Sequence, residues 1–163
     1  MHLRGIAINV TREDLRNRIS QALKEATAKL RESGYESQSI SPREFYDYMT
    51  GETPTGDTIS ITDVLGNEFL MIHEAVEISE LKKLGVPINK QTVTLTFPVP
   101  SYDTHYKATE HELDYALTKK NYDWVKTRIA QAKYWLEDEN LPQHLIPQYK
   151  TLIQKFSKTV EKE

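Results

Sequence analysis

The segment from Glu68 to Leu84 constrains the fold more than any other, because it combines an apolar helix pattern with a polar stripe. Each helical residue advances about 100°, and the apolar side chains of this segment then cover nearly every angle. Such a helix has to be buried by neighbours on more than one side. Three of its polar residues nevertheless share one sector with large apolar side chains: His73, Glu77 and Glu80. Buried carboxylates are costly without a compensating charge, so the segment predicts a buried site with a partner cation.

Length and composition restrict the class of protein. The 163 residues fit a single domain, residues 1–163, that is large enough to bury a core. No cysteine is present, which excludes disulfides, thiolate metal sites and a cysteine nucleophile. Basic and acidic side chains number 21 and 24, and apart from a mildly basic tail at 150–162 they are evenly spread, which argues against nucleic-acid binding. Without a signal-peptide pattern or a run of roughly 18 apolar residues, a cytoplasmic protein with no membrane partner is expected.

Periodicity along the chain predicts a mainly α fold, a single-domain multi-helix bundle with a small two-stranded ribbon. Alternating, β-branched residues predict the two strands of this ribbon at 3–10 and 92–97. Apolar residues at helical spacing predict the helices, at about 12–33, 42–49, 62–84, 104–119 and 122–137, with a last helix that Pro142 or Pro147 opens. The even charge distribution on the first helix leaves a homo-oligomer possible.

The helix predicted to begin near residue 104 carries the same pattern of polar residues as the helix at 62–84. His105 and Glu112 are seven residues apart, as are His73 and Glu80, which is about two helical turns. Both pairs lie on the apolar side of their helix, so packing of the two helices brings imidazoles and carboxylates together. Such donors suit a divalent ion, namely zinc, manganese or magnesium. The predicted metal ligands are His73, Glu77, His105 and Glu112.

Three further residues are candidates for catalysis. Glu74 and Glu80 are the candidate general bases for a water molecule that the ion activates. Arg128 lies on the apolar face of its helix, where it could bind an anionic group or neutralise a buried acid. It is the only buried-looking cation, so the sequence favours a small anionic, phosphate-containing substrate. The predicted function is that of a small metal-dependent hydrolase.

Two short motifs resemble those of known enzyme families. The stretch from His73 to Glu77, HEAVE, resembles the metallopeptidase signature HExxH, with a glutamate in place of the second histidine. The overlapping ExxE pairs formed by Glu74, Glu77 and Glu80 resemble the acidic helix of all-α nucleotide pyrophosphohydrolases. The resemblance implies a second acidic helix with an ExxD pair, whose nearest equivalents here are His111 and Asp114.

The same residues also fit a protein without catalytic activity. In this alternative, the protein is a helical interaction or ligand-binding module, and the buried acids form a closed structural network with Arg128 and a tyrosine hydroxyl. His105 is then an ordinary residue at a helix start. Metal content separates the two hypotheses, because a closed network predicts no bound ion.

Overall fold

The computed structural model describes residues 11–54 and 59–162, which form eight helices and contain no strand. The helices are α1 (Arg12–Glu32), α2 (Pro42–Met49), α3 (Ile61–Leu65), α4 (Glu68–Lys83), α5 (Thr92–Thr96), α6 (Ser101–Thr118), α7 (Tyr122–Trp135) and α8 (Leu145–Glu161). The prediction of a mainly helical bundle is confirmed. The strand predicted at 3–10 lies outside the described residues.

Helices α1 and α2 begin at the residues that the sequence predicts, and each is preceded by a capping side chain. Thr11 Oγ1 accepts a hydrogen bond from the backbone N–H of Asp14, whose carboxylate in turn accepts one from Thr11. Ser41 and Glu44 form the same reciprocal arrangement at the start of α2, with Pro42 at the first helical position. These bonds satisfy backbone donors that have no partner within the helix.

The long helix predicted at 62–84 is divided in two. Gly66 and Asn67 separate the short α3 from α4. The side-chain oxygen of Asn67 accepts hydrogen bonds from the N–H groups of Phe69 and Leu70, at 2.9 and 3.0 Å, and so starts a new helix. This cap fixes where α4 begins.

The prediction of a strand at 92–97 is wrong, and with it the two-stranded ribbon loses its support. Residues Thr92–Thr96 form helix α5, in which Thr92 and Thr96 are buried while Leu95 is exposed. The two buried threonines are four residues apart, which is the spacing of one helix face. The threonine hydroxyls bond locally: Thr96 Oγ1 donates to the carbonyl of Thr92, and Thr92 Oγ1 donates to that of Pro87, both at 2.8 Å. Local hydrogen bonds of this kind outweigh the weak β preference of threonine.

Helix α4 is the central element of the bundle. Ten of its residues are buried, including His73 and Glu77, as its all-round apolar pattern predicts. It shares its largest interface with α6, and the two run antiparallel: Glu68 contacts Tyr115, whereas Glu80 contacts Lys107 near the other end. Helices α1 and α3 pack against α4, and α7 and α8 against α6. In the described ranges no helix combines the length and apolar character that crossing a membrane requires.

Leu113→Ala should lower the free energy of unfolding by about 2–5 kcal/mol, because Leu113 is fully buried on α6 and its removal leaves a cavity. Urea denaturation measures this change as a lower midpoint with an unchanged slope. Leu95→Ala is the matched control, since Leu95 is 78% exposed and its loss should change stability by less than about 0.5 kcal/mol. Equal effects at the two positions would contradict this assignment of the core.

Candidate metal centre

Three donor atoms from α4 and α6 meet at one point. His73 Nε2 lies 2.8 Å from Glu77 Oε2 and 3.1 Å from His105 Nδ1, and the last two atoms are 2.9 Å apart. Two histidines with one carboxylate are a donor set that would hold a divalent ion and leave further coordination positions open. The residues therefore fit a divalent transition-metal ion.

The spacing within each helix explains the convergence. His73 and Glu77 are one turn apart on α4, so both side chains point from the same face. His105 lies on the facing helix α6, which runs antiparallel and brings its ring to within 4.7 Å of the His73 ring. The Glu77 carboxylate thus stands where the second histidine of an HExxH motif would stand, one turn beyond the first.

Glu112 fixes the orientation of His73. Glu112 is fully buried, and its Oε1 lies 2.8 Å from His73 Nδ1. An ionised carboxylate only accepts hydrogen bonds, so His73 Nδ1 has to carry the proton and donate. The lone pair of the neutral ring is then on Nε2, which faces Glu77 and His105. Carboxylates in this position commonly set the tautomer of a metal-binding histidine.

Both oxygens of Glu112 are occupied by donors from three residues. Besides His73, Oε1 accepts from Arg128 Nη2 at 2.9 Å, and Oε2 accepts from Trp124 Nε1 and Arg128 Nε, both at 2.7 Å. A carboxylate has about four acceptor positions, so these bonds saturate the group. The structure brings the predicted ligand Glu112 to the centre, but there it holds His73 instead of offering an oxygen to an ion.

Tyr48 fixes the orientation of Glu77, as Glu112 does that of His73. The Tyr48 hydroxyl donates to Glu77 Oε1 at 2.5 Å, which leaves Oε2 directed at the two histidines. A tyrosine hydroxyl is expected from the sequence in the closed-network alternative, but its position is not. Phe45 and Tyr48 are three residues apart on α2 and are both buried, and a buried tyrosine usually finds a partner for its hydroxyl. This pattern in the sequence is the signal by which Tyr48 could have been identified.

Electrostatics show that this cluster requires one further positive charge. Burial lowers the pKa of His73, but hydrogen bonds with Glu112 and Glu77 outweigh burial and raise it to about 10. Burial raises the pKa of Glu77, but hydrogen bonds from His105 and His73 hold it well below its ordinary value. Arg128 neutralises Glu112, so Glu77 needs either a proton on His73 Nε2 or a divalent ion at the same place.

A pocket of about 380 Å³ adjoins the cluster. Glu77 and His105 contribute to its lining, whereas His73 lies behind them, so an ion on the three donors would be reached from this pocket. The side chain of His105 is 30% exposed, against 3% for His73. The described part of the wall also includes five aromatic side chains, from Tyr48, Phe97, Tyr102, Trp135 and Tyr149.

The two candidate general bases have different surroundings. Glu74 lines the pocket, where burial and the charge of Glu77 raise its pKa to about 8. Glu80 lies one turn beyond Glu77 along α4 and bonds to other partners: the Tyr35 hydroxyl at 2.5 Å, Lys83 at 3.1 Å and Lys107 at 3.2 Å. The structure therefore places Glu74 at the site and Glu80 in a separate ion-pair network.

Arg128 lies between two indoles, as its helix pattern predicts. Its guanidinium carbon is 5.8 Å from the centre of the Trp124 ring and 5.3 Å from that of Trp135. Its nitrogens donate to Glu112 and, at 2.7 Å, to Gln131 Oε1. The buried acid that Arg128 neutralises is therefore Glu112 on α6. Trp124 belongs to the same network through its N–H, a role that the sequence analysis missed.

Neither a protein-family model, nor a curated protein, nor a solved structure matches this chain. The equivalents of an ExxD pair, His111 and Asp114, do not reach the cluster: His111 packs its ring 4.7 Å from that of Tyr35, and Asp114 is exposed. The class of protein therefore has to be argued from the site itself.

Proposed function

We propose that this protein is a metal-dependent hydrolase, with a divalent ion bound by His73 Nε2, Glu77 Oε2 and His105 Nδ1. One observation carries the proposal: these three atoms lie within 3.1 Å of one another beside a pocket. Glu112 and Tyr48 support it, because each holds a ligand in the orientation that an ion requires. In a closed structural network His73 Nε2 and His105 Nδ1, which are 3.1 Å apart, would both have to donate to the same oxygen, Glu77 Oε2, whereas an ion would take all three atoms as ligands.

The chemistry follows from the open positions of the ion. A divalent ion lowers the pKa of a bound water molecule to about 7 and supplies a hydroxide near neutral pH. Glu74, on the pocket wall next to His73 in the chain, accepts the proton that the water loses. With an ion held by His73, Glu77 and His105, the chemistry supplied would be attack of this hydroxide on a carbonyl or phosphoryl centre, and as the bond to the leaving group breaks Glu74 would return its proton to that group.

The substrate preference inferred from the sequence needs a different basis. A phosphate-containing substrate was favoured because Arg128 was available, but this guanidinium is already held by Glu112 and Gln131. The described lining of the pocket includes no lysine or arginine. An anionic group would therefore be bound by the ion alone, and phosphate esters are one arm of the test.

Isothermal titration should show one zinc or manganese ion per chain, and the loaded protein should hydrolyse an ester faster than the free ion does. The substrates are p-nitrophenyl acetate and p-nitrophenyl phosphate. His105→Ala should lose both binding and hydrolysis, whereas His144→Ala, which removes a surface histidine paired with Asp103, should keep both. A chain that binds no zinc, manganese, iron or magnesium would contradict the metal centre and favour the non-catalytic module. Binding without hydrolysis of either ester would contradict the hydrolase.

The donor set favours a second candidate, a non-haem iron oxygenase. Two histidines and one carboxylate are the ligands of such enzymes, and the three donor atoms here lie within 3.1 Å of one another. The same titrations therefore include Fe(II) under anaerobic conditions. With ascorbate as the reductant, oxygen consumption by the iron-loaded protein beyond that consumed by the same concentration of free Fe(II), and none by the zinc-loaded protein, would favour this candidate over the hydrolase.

A further inference from the structure

The walls of the pocket beside the metal centre define which ligands it can hold. Its volume of about 380 Å³ is at the lower end of small-molecule sites and suits a molecule with a single ring. Aromatic side chains form much of the described wall. The rings of Phe97 and Tyr102 are 5.4 Å apart, and that of Trp135 lies 5.8 Å from that of Tyr149. These surfaces favour a flat or apolar group.

Acidic side chains outnumber basic ones along the described lining: Glu74, Glu77 and Asp138 contribute carboxyl groups, and His105 is the one basic side chain. Burial raises the pKa of Glu74, and Glu77 is paired with His73 and His105, so the carboxylate that remains for a cation is that of Asp138. Arg128 stands against the Trp135 ring, but its charge is compensated by the bidentate pair with Glu112. Pocket walls of low polarity strengthen the field of the Asp138 carboxylate, which attracts cations and repels anions.

Asp138 is a carboxylate that the metal centre does not use. Its Oδ2 accepts a hydrogen bond from the Tyr102 hydroxyl at 2.5 Å, and its Oδ1 accepts one from the backbone N–H of Asn140 at 2.9 Å. These bonds fix the carboxylate at the pocket wall, and each oxygen keeps a lone pair for a further donor. The nearby faces of Phe97 and Tyr102 attract a cation as well.

We propose that this pocket binds an organic ammonium ion with an apolar or aromatic part of about one ring. The ammonium group donates to Asp138, and the apolar part lies against the aromatic wall. One part of this inference rests on the proposed function, namely that such an amine is the substrate class of the metal centre. Binding of the amine itself requires no ion.

Three ligands with the same ring and different charge test the proposal: benzylamine, benzyl alcohol and benzoate. Titration calorimetry on protein dialysed against a chelator should show benzylamine binding about tenfold more tightly than benzoate, with benzyl alcohol between them. Asp138→Asn should weaken benzylamine about tenfold and leave benzyl alcohol unchanged. Glu137→Gln is the matched control, because Glu137 is an exposed neighbour outside the described lining and should leave all three affinities unchanged.

The outcomes separate this inference from the proposed function. Tightest binding of benzoate, or no binding of benzylamine at millimolar concentrations, would overturn the amine site even if the chain binds zinc. An unchanged benzylamine affinity in Asp138→Asn would also overturn it. Amine binding by a chain that takes up no metal would instead contradict the hydrolase and leave the amine site standing. Zinc titration of Asp138→Asn should match that of the unaltered protein, since Asp138 contacts none of the three metal-binding residues.

Discussion

His73→Ala should abolish binding of a divalent ion, with a loss of affinity of more than about 100-fold. Changes that only disturb the orientation of a ligand cost about 10- to 100-fold, and this substitution removes the ligand itself. The ion should also stop stabilising the fold. An ion at 100 times its dissociation constant adds about 2.7 kcal/mol to the unmodified protein, which appears as a higher melting temperature. Calorimetry and thermal unfolding, with and without chelator, measure the two effects.

A second variant keeps this result interpretable. His73 is buried, so its loss also disturbs the hydrogen bonds of Glu112, although alanine is a good helix former. His105→Ala removes a ligand that is 30% exposed and should leave a folded protein with the same loss of metal binding. His144→Ala is the matched control for removing an imidazole. Unchanged metal affinity in both His73→Ala and His105→Ala would show that the ion binds elsewhere.

Arg128→Met should lower the free energy of unfolding by about 3–5 kcal/mol, the second large effect. It removes the guanidinium that pairs with Glu112, whose side chain has no exposed surface, and so leaves a buried carboxylate short of positive charge. Methionine preserves most of the volume between Trp124 and Trp135. Urea denaturation measures the change, and Lys126→Met, an exposed lysine on the same helix, should have little effect.

A double variant shows whether the carboxylate causes this loss. Arg128→Met combined with Glu112→Gln removes both charges and keeps an amide oxygen for His73 Nδ1. The double variant should be more stable than Arg128→Met alone, because no buried carboxylate is then left without its cation. If the two variants are equally unstable, the effect of Arg128→Met comes from lost packing and not from the unpaired charge.

The convergence of α4 and α6 could be predicted from periodicity. His73 with Glu80, and His105 with Glu112, have the same spacing on helices with apolar faces, and antiparallel packing then brings imidazoles and carboxylates together. The choice among those acids could not be predicted. Glu77 faces the histidines, whereas Glu80, one turn further, meets Tyr35 and two lysines, and that difference depends on which neighbours each turn of α4 contacts.

The positions of residues in short or irregular segments could not be predicted from the sequence. Asp138 follows the end of α7, where no periodicity indicates which way a side chain points. Helix α5 (Thr92–Thr96) was mistaken for a strand at 92–97 because alternating threonines over six residues fit either period, and local hydroxyl bonds decided the outcome. The part of the ribbon assigned to residues 3–10 stays a prediction.

Glu112 has a consequence for how the bundle unfolds. This one carboxylate, carried by α6, bonds to His73 on α4 and to Trp124 and Arg128 on α7. Three helices therefore share a single buried anion, and separating any one of them from the others exposes it with fewer donors. Partial opening at this point costs nearly as much as complete opening. The central turns of α4, α6 and α7 should accordingly exchange their amide hydrogens as one cooperative unit, the slowest in the chain.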